Sequence, residues 1–131
     1  MTATLMRAAL ILGCCSVLAP WSQAIGQPAP GQKARICSIR GRAATAANVV
    51  DTWSITVSNE GLPCTHERMV GRGDLYQVSQ PPRHGQVTQQ SEGSRTAVTY
   101  TPVKGYTGED SFQLRSPLRN VEMPYLVTVI P

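Results

Sequence analysis

In 131 residues there are only two histidines, His66 and His84, and only eight aspartates and glutamates. Acid–base and nucleophilic catalysis rest on clusters of such groups, so there is little from which to build a serine–histidine or cysteine–histidine pair. The chain carries no glycine-rich phosphate loop and no metalloprotease helix signature. It lacks any apolar run close to the roughly twenty residues a membrane-spanning helix requires. Aromatic residues make up 5% of the sequence, and most fall at positions that alternation turns inward. Little is left for the exposed stacking platforms that sugars and single-stranded nucleic acids need. These scarcities set the expectations: no enzyme, no cofactor, no nucleic-acid partner and no membrane span.

The first residues read as an export signal. Arg7 is the one charge before the short uncharged run Ala8 to Leu18, Pro20 breaks the helix, and Ser22-Gln23-Ala24 puts small residues where a signal peptidase reads. Cleavage is expected after Ala24. Ile11-Leu12-Gly13-Cys14 offers an alternative, a lipoprotein box in which Cys14 is lipidated. Residues 25–33 hold two prolines and two glycines and read as a flexible leader. Residues 34–131 are then one domain. The chain left after cleavage, residues 25–131, has a net charge of about +3. The one basic cluster, Lys33, Arg35, Arg40 and Arg42, reads as a solvated strand end.

Removing residues 1–24 takes Cys14 and Cys15 away and leaves Cys37 and Cys64. An even count in an exported domain predicts a bridge between them. Two cysteines with His66 nearby are too few for a structural zinc site.

Short two-residue alternation recurs along the rest of the chain. Trp53, Ile55 and Val57 alternate with Ser54, Thr56 and Ser58, and the pattern returns at Tyr76 and Val78, Val98 and Tyr100, and Phe112 and Leu114. Met123 to Ile130 closes the chain, with Pro124 expected at a strand start or an edge because it has no N–H for a central ladder. Ala43 to Val50 has marginal helical propensity and is expected to be a single turn or a loop. The fold class predicted is all-β, a sandwich of six or seven short antiparallel strands.

The stretch Pro82-Arg83-His84-Gly85-Gln86-Val87, followed by Val98-Thr99-Tyr100-Thr101-Pro102 and Gly105-Tyr106-Thr107-Gly108-Glu109-Asp110-Ser111-Phe112, resembles bacterial cadherin-like, immunoglobulin-fold repeats. The resemblance implies an immunoglobulin-like β-sandwich. It gives Tyr100, Pro102, Gly105, Tyr106, Gly108, Asp110 and Phe112 structural work. Gly85, Gly105 and Gly108 can take positive φ in turns, Pro102 ends a strand, and Asp110 can accept backbone N–H bonds in its turn. Tyr106 is expected to be buried beside Phe112 and Tyr100, its hydroxyl bonding backbone of the Phe112 strand, similar to a tyrosine corner. Calcium, which such a resemblance brings to mind, lacks carboxylates here: only Glu109 and Asp110 adjoin.

Arg72-Gly73-Asp74 spells a tripeptide displayed by integrin ligands and is read as an ordinary surface turn. The function expected is a small exported monomer, periplasmic or secreted, that binds a protein or polysaccharide partner through loops at one end or an open sheet edge. The alternatives are a structural envelope protein with no discrete site, or a small hydrolase.

Overall fold

Residues of alternating burial form the strands in the computed structural model, which describes residues 31–42, 52–69 and 74–131. The expected signal peptide, most of the leader, the Ala43 to Val50 segment, and Arg72 and Gly73 lie outside the described residues. The described residues contain eight strands and no helix: β1 (Cys37–Arg42), β2 (Thr52–Ser58), β3 (Cys64–Met69), β4 (Gln77–Gln80), β5 (Gly85–Glu92), β6 (Arg95–Pro102), β7 (Gly108–Ser116) and β8 (Val121–Ile130). The described residues are all-β, as expected, with more strands than the six or seven read from alternation. β3 and β5 escaped that reading because polar side chains interrupt their inward faces: His66 and Arg68 on β3, Gln89 on β5.

One sheet has five strands in the order β1-β2-β8-β7-β4, and the other has three, β3-β6-β5. Pairing is antiparallel except between β2 and β8, which run parallel from Trp53↔Tyr125 to Ser58↔Ile130. The larger sheet is therefore mixed, whereas antiparallel strands alone were expected. The last strand slots between β2 and β7, and this places it parallel to β2. Pro124 faces Gln113 of β7 one residue before the β2 ladder begins at Tyr125. It occupies a local edge, where its missing N–H leaves the β2 ladder intact.

The two sheets meet through side chains of their facing surfaces. Ile55 and Val57 of β2, Val98 and Tyr100 of β6, Phe112 and Leu114 of β7, and Met123, Tyr125, Val127 and Val129 of β8 are all buried. A column of rings crosses the interior: Tyr100 stacks on Phe112 at 6.0 Å and Phe112 on Tyr125 at 4.5 Å between centroids. Each buried aromatic removes on the order of 150–250 Å² from water and adds a directional ring contact.

Cys37 and Cys64 form the expected disulfide, with Cα atoms 5.4 Å apart. It joins β1 to β3, so the covalent link spans the two sheets at one of their shared flanks. On the opposite flank the chain crosses from β4 to β5 through Pro81-Pro82-Arg83-His84. β5 and β6 are joined by Gly93-Ser94, where Gly93 takes φ 60°, the conformation that a two-residue hairpin demands.

Closing a loop with 27 residues of separation is worth about 3.5 kcal/mol in the chain-entropy account. Alkylation under denaturing conditions should leave Cys37 and Cys64 unmodified in the unreduced protein. Replacing both by serine should lower the unfolding free energy by about 3 kcal/mol in denaturant titration.

Candidate functional site

The motif residues converge on one carboxylate. Asp110 stands near the start of β7, where alternation turns it inward, and only 9% of its surface is exposed. Its Oδ1 accepts from the backbone N–H of Arg83 at 3.0 Å and of Ser111 at 2.9 Å. Its Oδ2 accepts from the backbone N–H of His84 and from the Tyr100 hydroxyl, both at 2.9 Å. Burial alone raises the carboxyl pKa, and the three N–H groups with the Tyr100 hydroxyl outweigh it, so the group titrates below its ordinary value. Burial, followed by the bond to Asp110 and its charge, pushes the Tyr100 hydroxyl well above the ordinary tyrosine range. The sequence places Asp110 as the anchor of its own turn. The structure shows that it also anchors a distant one, the Pro82–Gly85 turn ahead of β5.

Gly85 completes that turn for a different reason from the one expected. A Cβ there would lie 2.6 Å from the Tyr100 ring, and its φ is not among the positive ones. Close approach, not a left-handed backbone, requires the glycine. Gly105 and Gly108 do take positive φ, 84° and 133°. Pro102 ends β6, as expected.

Tyr106 is half-buried rather than buried. Its hydroxyl donates to the Glu109 carbonyl at 2.7 Å, the expected bond into the Phe112 strand, but its ring stacks on His84 at 4.1 Å and 8°. The position beside Phe112 is filled by Tyr100 and Tyr125. Asp110 bonds the His84 backbone, so the imidazole receives no carboxylate from it.

A second cluster occupies the other end of the sheets. The Arg68 guanidinium lies 4.8 Å over Trp53 and 5.5 Å over Tyr76 and donates to Met123 Sδ. Arg119 donates to the Tyr76 hydroxyl at 2.8 Å and to Asp74 Oδ2 at 3.2 Å. Asp74 also takes the Ser116 hydroxyl. Desolvated cation–ring contacts of this kind contribute up to about 2 kcal/mol each. Asp74, read from sequence as part of a surface tripeptide, is thus 3% exposed and ion-paired inside the fold. Inward arginine on β3 runs against the apolar alternation, so sequence reasoning had no signal for this cluster.

His66 sits within it, 4.2 Å from the Trp53 ring and 6.3 Å from that of Tyr125. Burial, helped by the Arg68 charge, holds its pKa down at about 4. Among the described residues neither the buried His66 Nδ1 nor Trp53 Nε1 has a hydrogen-bond partner. Among the described residues no group of three or more His, Cys, Asp or Glu is placed to hold a metal ion.

The surface offers shallow clefts. One of about 400 Å³ is lined by Gln80, Arg83, His84, Glu109, Ser111 and Leu126, with Asp110 at its base. It exists because β4 stops opposite Gln113, which leaves the start of β7 uncovered on that side. Leu126, on the outer face of β8, is 57% exposed.

No family model and no curated protein matches the chain.

His66 gives the end cluster a pH signature. Its folded pKa, about 4, lies below the ordinary 6.5, so the unfolded chain takes up the proton first as pH falls. The stability present above pH 6.5 is lost progressively down to about pH 4, by about 2 kcal/mol after allowance for partial exposure. Asp110 and Glu60, whose pKa values are lowered, lose their contributions at lower pH. Denaturant titrations between pH 7 and 4 should show the slope, and His66→Gln should flatten it.

Proposed function

We propose that the chain is an exported, immunoglobulin-like module that binds a protein or polysaccharide partner in the periplasm or at the cell surface. The observation that carries this reading is the cleft over the Pro82–Gly85 turn. A rigid floor, the four-bonded Asp110 carboxylate, lies under exposed Arg83, His84 and Glu109, beside the exposed Leu126. Mixed polar groups around a solvent-facing apolar side chain are the composition of a recognition surface.

Several features support the wider reading. Two sheets face each other over an aromatic core, and a tyrosine hydroxyl bonds backbone at the corner that precedes β7. This accords with the cadherin-like resemblance. The Cys37–Cys64 bridge suits an oxidising compartment. Arg68 and Arg119 lie against the Trp53 and Tyr76 rings, which gives those aromatics an internal task and leaves the cleft as the better candidate for a partner. The Asp110 carboxylate already accepts four hydrogen bonds, which suits a structural floor better than an acid–base group.

The test is a glycan array together with capture from envelope extract, using the purified protein. Binding found there should fall at least tenfold in Leu126→Asp and in Arg83→Glu, with the melting temperature unchanged, because both side chains are exposed. Binding that survives both substitutions would remove the cleft from the account. The absence of any partner would leave the structural envelope reading.

A further inference from the structure

The two sheets present four edges, and three are blunted in recognisable ways. β1 carries Arg40 and is tied by Cys37 to β3. β3 carries Glu67 and Arg68 as well as the other half of that bridge. β4 is four residues long, has a register irregularity between Val78 and Gln80, and runs into Pro81-Pro82. Charge, bulges, proline and brevity are the devices by which proteins keep sheet edges from pairing with other chains.

β5 has no bulge, no proline and no charge along its middle. It pairs with β6 without a break from Gly85↔Pro102 to Glu92↔Arg95. Its eight residues, Gly-Gln-Val-Thr-Gln-Gln-Ser-Glu, contain no proline, lysine or arginine, and the one charge sits at the end. Its outer backbone edge has no strand beside it among the described residues.

At the middle of this edge is an unmet group. Gln89 points inward, opposite Val98, and its Oε1 is buried with no hydrogen-bond partner. A buried acceptor left unpaired is unfavourable, since it has given up its bond to water and gained none.

We infer that β5 is a self-pairing edge: two copies of this chain join antiparallel through it, making one continuous six-stranded sheet from two three-stranded ones. A twofold axis through Gln89 sets the register. The Gln89 amide of each copy faces that of the other across the axis, and an amide turned from its buried position toward the edge donates through its NH₂ to the facing Oε1, which is unpaired in the single chain. Thr88 then faces Gln90, and Val87 faces Ser91. Glu92 faces Gln86, so the strand's only charge never meets its own copy, and no like charges oppose each other along the ladder. Inward residues stay opposite inward ones, as a shared sheet requires. The second copy is favoured over a foreign strand because it satisfies both conditions, the central amide and the charge-free register, with the sequence already present. The inference replaces the expectation of a monomer and goes beyond the partner-binding reading, since the cleft at Leu126 is not part of this edge.

Sedimentation velocity of the purified protein across a concentration series tests it. The molar mass should rise to twice that of one chain. Thr88→Lys combined with Gln90→Lys, both at exposed positions, places like charges opposite each other and should hold the mass at one chain throughout. Ser38→Lys on the β1 edge should leave the doubling intact. Hydrogen exchange needs no substitution: the outward-bonding amides of β5 should gain protection as concentration rises, and those of β1 should not. A wild-type protein that stays single at every concentration overturns the inference. So does a dimer that persists in the doubly substituted β5 variant, or one that the β1 control also abolishes.

Discussion

The structure depends on a carboxylate held in the wrong place for a charge. Asp110 is nearly out of water, and an ion there is tolerated only because every part of its acceptor surface is engaged. The donors come from three places: its own strand, the Pro82–Gly85 turn that leads into β5, and Tyr100 on β6. One side chain therefore ties β7 of the larger sheet to two strands of the smaller. The other constraints follow from this bond set. Tyr100 must bring its hydroxyl to Asp110, its ring then lies across the turn, and residue 85 must lack a Cβ.

The remaining links complete the frame. The disulfide fastens the opposite flank, β1 to β3. The Trp53, Arg68, Tyr76 and Arg119 series with Asp74 fastens the far end. Between these fastenings runs the column of Tyr100, Phe112 and Tyr125, packed among the buried aliphatic side chains of β2, β6, β7 and β8. Burial brings the sheets together without fixing how they are turned; the directional bonds at the flanks select one arrangement.

Alternation made β2, β6 and β7 legible in the sequence, since Ile55 and Val57, Val98 and Tyr100, and Phe112 and Leu114 turn inward between more polar neighbours, and β8 was legible as the long run Met123 to Ile130 with Tyr125, Val127 and Val129 on one face. The disulfide was legible from cysteine count. β3 and β5 were not, because His66, Arg68 and Gln89 stand at inward positions where the pattern expects apolar side chains. Asp110 and Tyr100 were picked out as motif residues, yet the distant turn they hold could not be read, as contacts 26 and 27 residues apart leave no local trace. Asp74 was misplaced for the same reason: its partners Ser116 and Arg119 are more than 40 residues away. The cleft and the open β5 edge are consequences of where β4 stops and which strand lies outermost, and both require the topology.

Asp110 links the two sheets, and substitution to asparagine tests that most directly. Asparagine keeps the shape but turns one acceptor into a donor facing an N–H group. Hydrogen exchange should then show the Arg83 and His84 amides losing protection together, with the unfolding free energy reduced by about 2–4 kcal/mol. If both amides stayed protected and the loss were under about 0.5 kcal/mol, the carboxylate would be one contact among many. The sheets would then be held by the core and the disulfide alone.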